Sequence, residues 1–339
     1  MASEFDYIAR YFTRQPAYTR GDAGVALGVG DDAALLLPSP SRALAVTTDM
    51  LVAGTHFFPD TNPRDLGWKA LAVNLSDLAA MGAQPRWALL ALALPDAATW
   101  CAVSPRLEFD DWLQAFSNGL FECTDAFGVA LVGGDTTRGP LTLSITAIGE
   151  TLPGHALRRD GARPGDDLWV SGTPGLAAVG LAHLQQRTAL DEPGRAHCLA
   201  ALHRPQPRLA LGQALAGVAT ACIDVSDGLL ADLGHILERS RCAARLDANA
   251  LPPLTTLPGL GAVSPRLCFE SQWSGGDDYE LAFAAPPAAR DAVLACAFDA
   301  GVPVTRIGSV VDGPAGTLVL LDATGRDIVP ARRGFDHFG

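Results

Sequence analysis

Lysine is almost missing from this chain: among 339 residues it occurs once, at Lys69. No Gly-Lys-Ser/Thr phosphate loop can exist, so any phosphate must be held by arginine, backbone amides or metal. Cys101, Cys123, Cys198, Cys222, Cys242, Cys268 and Cys296 are odd in number, scattered, and never in a Cys-x-x-Cys pair. Reduced thiols in a cytoplasmic protein are the expectation. No Gly-x-Ser-x-Gly elbow or Cys/His pairing suggests acyl chemistry, and the histidines lack metal-site spacing. Long apolar runs are absent as well. The uncharged stretches Leu168 to Leu184 and Ala248 to Pro265 are broken by glycine and proline, so no membrane span is expected. Positive charge is in deficit, with a formal net charge of -12, which argues against a general partner in nucleic acid or anionic membrane. The opening Met-Ala-Ser-Glu-Phe-Asp-Tyr is acidic without an apolar core and predicts no secretory signal.

What the chain does have is aspartate in a pattern. Six segments set it beside glycine, serine or threonine, in or next to apolar runs: Gly30-Asp31-Asp32, Thr47-Thr48-Asp49, Ser76-Asp77, Gly133-Gly134-Asp135-Thr136, Asp224-Val225-Ser226-Asp227-Gly228 and Gly275-Gly276-Asp277-Asp278. A carboxylate in an apolar setting is costly unless something cationic meets it. Magnesium, and with it phosphate, is the economical expectation. Hydrophobic residues make up 48% of the chain and charged ones 18%, as in a compact globular protein, and the length suits two domains.

Glu4 to Arg14 is predicted as a short amphipathic helix, with Phe5, Ile8 and Phe12 at helical spacing. Ala43 to Thr48 reads as a strand that delivers Asp49. Pro63 opens a long helix ending near Gly82, with proline in its first turn and glycine past its last. Trp87 to Leu94 suits a buried strand, Phe109 to Phe127 a helix, Val129 to Val132 a strand ending in a Gly133-Gly134-Asp135 turn, and Leu141 to Ile148 its neighbour. The Gly-, Pro- and Arg-rich stretch from Glu150 to Asp167 is the expected boundary between a domain of residues 1–152 and one of residues 153–339. Beyond it, strands are predicted at Asp167 to Ser171, Ala221 to Asp224, Tyr279 to Ala284, Thr305 to Val311 and Thr317 to Leu321. Helices are predicted at Gly175 to Gln186, Pro207 to Gly217, Gly228 to Arg239 and Ala288 to Ala300. Strands alternating with helices imply α/β or α+β layers in each domain.

Asp77 is the most telling single residue. At 100° per residue from Lys69, it falls at about 80°, between Leu66 and Ala70 and beside Val73. An acid is thus flanked by apolar positions, although it could also edge a polar strip of Asp65, Lys69 and Ser76. Gly133-Gly134-Asp135 and Gly275-Gly276-Asp277 place flexible backbone next to acids, where glycine lets main chain approach a phosphate. Either could equally be an ordinary loop. Asp224 and Asp227 stand three residues apart before a predicted helix and could hold hard cations, with Ser226 turned towards phosphate. Ser226 or Asp227 could instead cap that helix. Arg158, Arg159 and Arg163 form a basic cluster open to a nucleotide phosphate or to solvent, and His56 could meet substrate or pack. A calcium-binding structural protein is disfavoured, because no Asp-x-Asp-x-Asp-Gly loop exists.

The order of the segments carries more than any one of them. Residues 28–35, 47–57, 69–83, 133–137, 223–229 and 274–281, reading Gly-Val-Gly-Asp-Asp-Ala-Ala-Leu through Ser-Gly-Gly-Asp-Asp-Tyr-Glu-Leu, resemble the thiamine-monophosphate kinase family. The resemblance runs from about Phe5 to Phe338. It implies the two-domain fold shared with aminoimidazole ribonucleotide synthetase, an N-terminal α/β domain that pairs across a homodimer and a C-terminal α/β domain. It also implies transfer of the ATP γ-phosphoryl group to thiamine monophosphate with several magnesium ions. Carried over by motif, Asp32, Thr47, Thr48, Asp49, Asp77, Asp135, Asp224 and Asp227 would be magnesium ligands, with Asp49 and Asp77 catalytic. Gly134, Asp135, Arg159 and Ser226 would contact the nucleotide. His56, Asp277 and Phe335 would line the thiamine site, although Asp277 stands where glutamate is common and Phe335 where tyrosine or tryptophan is expected. The segment Ala97 to Phe109 is longer than usual. Selenophosphate synthetase, of the same superfamily, requires an N-terminal Cys and Lys that are missing. A formylglycinamidine ribonucleotide cyclo-ligase and a non-catalytic nucleotide-binding protein remain open alternatives.

Overall fold

The computed structural model describes residues 4–14, 23–96, 100 and 107–335. The chain divides into two units, one of residues 1–78 with 83–154 and one of residues 79–82 with 155–339. In the first, the expected N-terminal helix is α-helical over Glu4–Tyr7 (α1) and widens into a π-helical turn over Ile8–Phe12. A small hairpin pairs Val25–Leu27 (β1) with Leu35–Leu36 (β2). The main sheet is built from Ala43–Val52 (β3), Gln84–Leu94 (β4), Ala130–Arg138 (β5) and Thr142–Thr151 (β6), in the order β3-β6-β4-β5. Only the β4–β5 pair is parallel, and the helix Phe109–Phe127 (α3) links the two strands.

The helix Pro63–Ala80 (α2) has a composition that amphipathic logic does not anticipate. From Leu66 to Ala80 every residue is buried except Asp77, which is half-buried. Lys69 and Ser76 are buried too, so the polar strip that might have carried Asp77 into solvent does not exist. A helix apolar all round belongs inside a layer. α3 has a clear buried side, with Trp112, Leu113, Phe116 and Leu120 inside. Trp112 and Phe116 stack with centroids 5.2 Å apart.

The second unit holds a six-stranded sheet of Asp167–Ser171 (β7), Ala221–Asp224 (β8), Ala243–Asp247 (β9), Leu281–Ala285 (β10), Val304–Val311 (β11) and Leu318–Leu321 (β12). Its order is β12-β9-β11-β7-β10-β8, and only β12 runs parallel to its neighbour. Its helices are Leu176–Leu184 (α4), Gly194–His203 (α5), Leu209–Leu215 (α6), Leu229–Ser240 (α7), Pro265–Ser274 (α8) and Arg290–Ala300 (α9). The core joins Leu168 and Val170 of β7 and Ile223 of β8 to Leu229, Leu233 and Ile236 of α7 and Trp273 of α8.

One local expectation is corrected, and four features are additions to those expected. Gly133-Gly134-Asp135 is not a turn but lies within β5, paired in register with Leu89, Leu90 and Ala91. β9, α5, α8 and the β1–β2 hairpin were not expected. The start of α8 was nonetheless signalled, since Ser264 caps it by accepting from Leu267 N at 3.2 Å and Pro265 opens its first turn. Most of Ala97 to Phe109, and residues 336–338 of the C-terminal motif, lie outside the described residues.

Candidate active site

The expected ligand set falls into three groups. The first lies where β3 meets α2. Strand alternation puts Thr47 and Asp49 on one side and Thr48 on the other. Thr47 Oγ1 donates to the Asp77 carboxylate. Asp49 N donates to Asn74 Oδ1 at 3.0 Å, and Asn74 Nδ2 donates to Ala70 O at 3.1 Å. Asn74, fully buried and one turn before Asp77, thus pins the strand to the helix; its spacing from Asp77 was the signal for it. Burial, reinforced by the nearby Asp77 charge, pushes the Asp49 carboxyl up to about 6. Two carboxylates so placed repel each other, and a cation between them would relieve both burial and repulsion.

The second group lines a groove of about 800 Å³ in the first unit, walled by Phe12, Leu36, Leu89 and Leu131 among others, with Asp31, Asp32, Gly134 and Asp135 at its polar part. Thr48 reaches this side, because its hydroxyl accepts from the groove residue Thr146 at 3.1 Å. Gly134 has φ +152°, and a Cβ there would sit 1.8 Å from Leu90 O. Only glycine permits that closeness of β5 to β4. Asp31, absent from the expected set, accepts from Asp32 N at 2.8 Å. His56 closes a tight turn after β3, its Nδ1 accepting from Val52 N at 3.0 Å. In a neutral ring that leaves the proton on Nε2.

The third group is in the second unit. Asp224 ends β8 and is buried. Asp277 N donates to Ser226 O, and Tyr279 N to Val225 O, both at 2.8 Å. Phe335 N donates to Asp227 O at 2.9 Å, so Phe335, Asp227, Ser226 and Asp277 are neighbours. Asp277 and Tyr279 both adopt left-handed backbone, at φ 69° and 52°, a strained conformation for non-glycine residues. Tyr279 Oη donates to Asp277 Oδ1 at 3.0 Å. Asp278, whose carboxyl burial pushes well above the usual range, accepts from Gly175 N at 2.8 Å ahead of α4. Neither Ser226 nor Asp227 caps α7 with its side chain. Arg159 is exposed, while Arg158 is occupied by Asp160 at 2.6 Å.

The whole chain has relatives. The family model described as AIR synthase related protein, N-terminal domain, matches residues 30–151, and its C-terminal counterpart matches residues 163–320. The thiamine-monophosphate kinase of Salmonella typhimurium is 46% identical over 337 residues, covering 99% of this chain and 98% of that protein. The crystal structure of thiamine-monophosphate kinase from Stenotrophomonas maltophilia K279a superposes with a TM-score of 0.79 at 44% identity, covering 95% of each chain. AaThiL complexed with AMPPCP and TMP gives a TM-score of 0.73 at 29% identity, covering 89% of each. This chain therefore belongs to the thiamine-monophosphate kinase family of AIR synthase related proteins.

Proposed function

We propose that the chain transfers the γ-phosphoryl group of ATP to the phosphate of thiamine monophosphate, giving thiamine diphosphate and ADP. Kinship with kinases of that name, one of them solved with AMPPCP and TMP together, supports the reading. The observation in this chain that carries it is the Asp49–Asp77 pair. A phosphate oxygen of the acceptor attacks the γ-phosphorus, and the bond to the β,γ-bridging oxygen breaks with its electron pair leaving on ADP. With a second pKa of about 6, the acceptor phosphate is largely a dianion at neutral pH, so no general base is needed to free its attacking oxygen. The obstacle is repulsion between two anions.

Magnesium fits the donor set. The side chains are hard oxygens, and burial first, with the Asp77 charge beside it second, raises the Asp49 carboxyl. Among the described residues no group of three His, Cys, Asp or Glu side chains is placed to hold an ion by itself. Magnesium is usually held by one or two carboxylates, its shell completed by water and substrate phosphates. Thr47, Asp49 and Asp77 would hold it at β3 and α2, Asp32, Thr48 and Asp135 at the groove, and Asp224 and Asp227 in the second unit. When bound, it would supply the charge that offsets donor–acceptor repulsion. Gly134, Asp135, Arg159 and Ser226 take the nucleotide; His56, Asp277 and Phe335 take the thiamine moiety.

A second copy of the chain is the fitting cover for β3, an edge strand whose Leu44, Val46 and Met50 are 48%, 61% and 58% exposed. The six described cysteines are free thiols, which favours the reducing cytoplasm. The deciding assay supplies ATP, magnesium and thiamine monophosphate and measures thiamine diphosphate directly. No thiamine diphosphate, with aminoimidazole ribonucleotide formed from formylglycinamidine ribonucleotide, would reverse the reading.

A further inference from the structure

The loop Val225 to Gly228 carries two expected ligand residues, yet its whole backbone is already engaged. The amides of Ser226, Asp227 and Gly228 all donate to one atom, Asp232 Oδ2, at 3.0, 3.1 and 3.1 Å. Val225 N donates to Glu280 O at 2.8 Å. The four carbonyls, in chain order, accept from the amides of Tyr279, Asp277, Phe335 and Asp232. Gly276 lies so close beneath that a Cβ on it would be 2.4 Å from Ser226 O. What this loop offers a ligand is therefore its side chains.

Three successive amides aimed at one point, just ahead of a helix, form the concavity that ordinarily captures a phosphate. Here it holds a carboxylate from the first turn of α7, on a residue only 3% exposed. We propose that Asp232 is a positioning residue: by filling the amide nest from within, it bars phosphate from the start of α7 and fixes the loop so that Asp224, Ser226 and Asp227 meet the metal and nucleotide through their side chains. For what the loop binds, this rests on the phosphotransfer reading. The filled nest does not.

Two variants test it, Asp232→Asn and Asp232→Ala, in the full chain. Magnesium-dependent binding of AMPPCP should weaken about 10- to 100-fold in both, the range for partners that orient ligand residues. KM for ATP should rise with it while KM for thiamine monophosphate moves less. Acetate, which can refill the emptied nest, should restore part of the AMPPCP binding to Asp232→Ala and none to Asp232→Asn. Inorganic phosphate should raise the melting temperature of Asp232→Ala and leave that of the parent unchanged, whatever the nucleotide result. Failure of this phosphate arm overturns the filled nest even if the kinase assay succeeds; failure of the kinase assay alone leaves it standing. If Asp232→Asn folds and binds AMPPCP as tightly as the parent, the positioning role is wrong. Should Asp232→Asn fail to fold, the carboxylate is a structural cap and the proposal falls.

Discussion

The two units surround their buried acids differently. At β3 and α2 of the first, Asp49 and Asp77 stand together and the Asp49 carboxyl is raised to about 6. In the second, several buried acids are answered from within the chain, although burial and the Asp227 charge raise the Asp232 carboxyl to about 6 as well, against the pull of its three amides. Asp232 takes three amides, Asp278 takes Gly175 N, and Glu280 takes Ser171 and a two-pronged contact from Arg208. Net charge alone would treat these acids alike. The partner differs: Asp232 meets backbone amides and shapes a loop, whereas Asp49 and Asp77 face each other, and a cation there is the proposal that the following variants test.

The largest expected effect breaks the first side of the comparison. Asp77→Asn should cut turnover at least about a hundredfold, since metal-held charge stabilisation is worth several kcal/mol. The same change removes a like charge beside Asp49, so the metal-free protein should melt no lower at neutral pH and could melt higher. Turnover and unfolding in EDTA are the two measurements; an active variant, or one that melts well below the parent, would remove Asp77 from the metal site. On the other side, Arg208→Met leaves Glu280, 5% exposed, without its cation. Breaking a buried pair costs about 3–5 kcal/mol, read by urea unfolding, while turnover per folded molecule should fall far less than for Asp77→Asn.

Much of this contrast was legible in the sequence, and its limits are physical. The wheel position of Asp77 among Leu66, Ala70 and Val73 pointed to an acid inside a buried helix, because side-chain direction follows from helical period alone. The bounds Phe109–Phe127 came out as expected for the same reason, while those of Asp167–Ser171 match a short apolar run set between Gly165 and Gly172. Asp232 did not. Five residues past Asp227, it reads as an ordinary first-turn acid, and nothing local says that the preceding chain bends until three amides share its Oδ2. Gly133-Gly134 misled in the other direction. Paired glycines usually mark a turn, but here they allow β5 to close on β4.

A third prediction uses that closeness. In Gly134→Ala the methyl would lie 1.8 Å from Leu90 O, so the strands must part at the groove. A loss of about 1–3 kcal/mol is expected, as for other overpacked sites, together with weaker AMPPCP binding. Unchanged binding would detach the groove from the nucleotide.

The smallest effect tests how far the second unit is satisfied from within. Asp167, 2% exposed, is held by Arg290 at 2.6 Å and by Arg306 at 2.6 Å, and Arg290 is the larger cause of a carboxyl below the usual range. A lowered folded-state pKa gives stability that is present above the ordinary carboxylate range and lost as the pH falls through the folded value. In Arg290→Ala the Arg306 contact remains, and Arg290 is itself 47% exposed, so the loss at pH 7 should be smaller than for Arg208→Met or Gly134→Ala, because solvent screens the pair. The gap between parent and variant should narrow as the pH drops below about 4, because both then lose the ionised Asp167. Urea unfolding at a series of pH values measures it. A gap that stays constant would mean that Arg290 stabilises by packing its aliphatic stem rather than by charge, and this acid would then be answered by Arg306 alone.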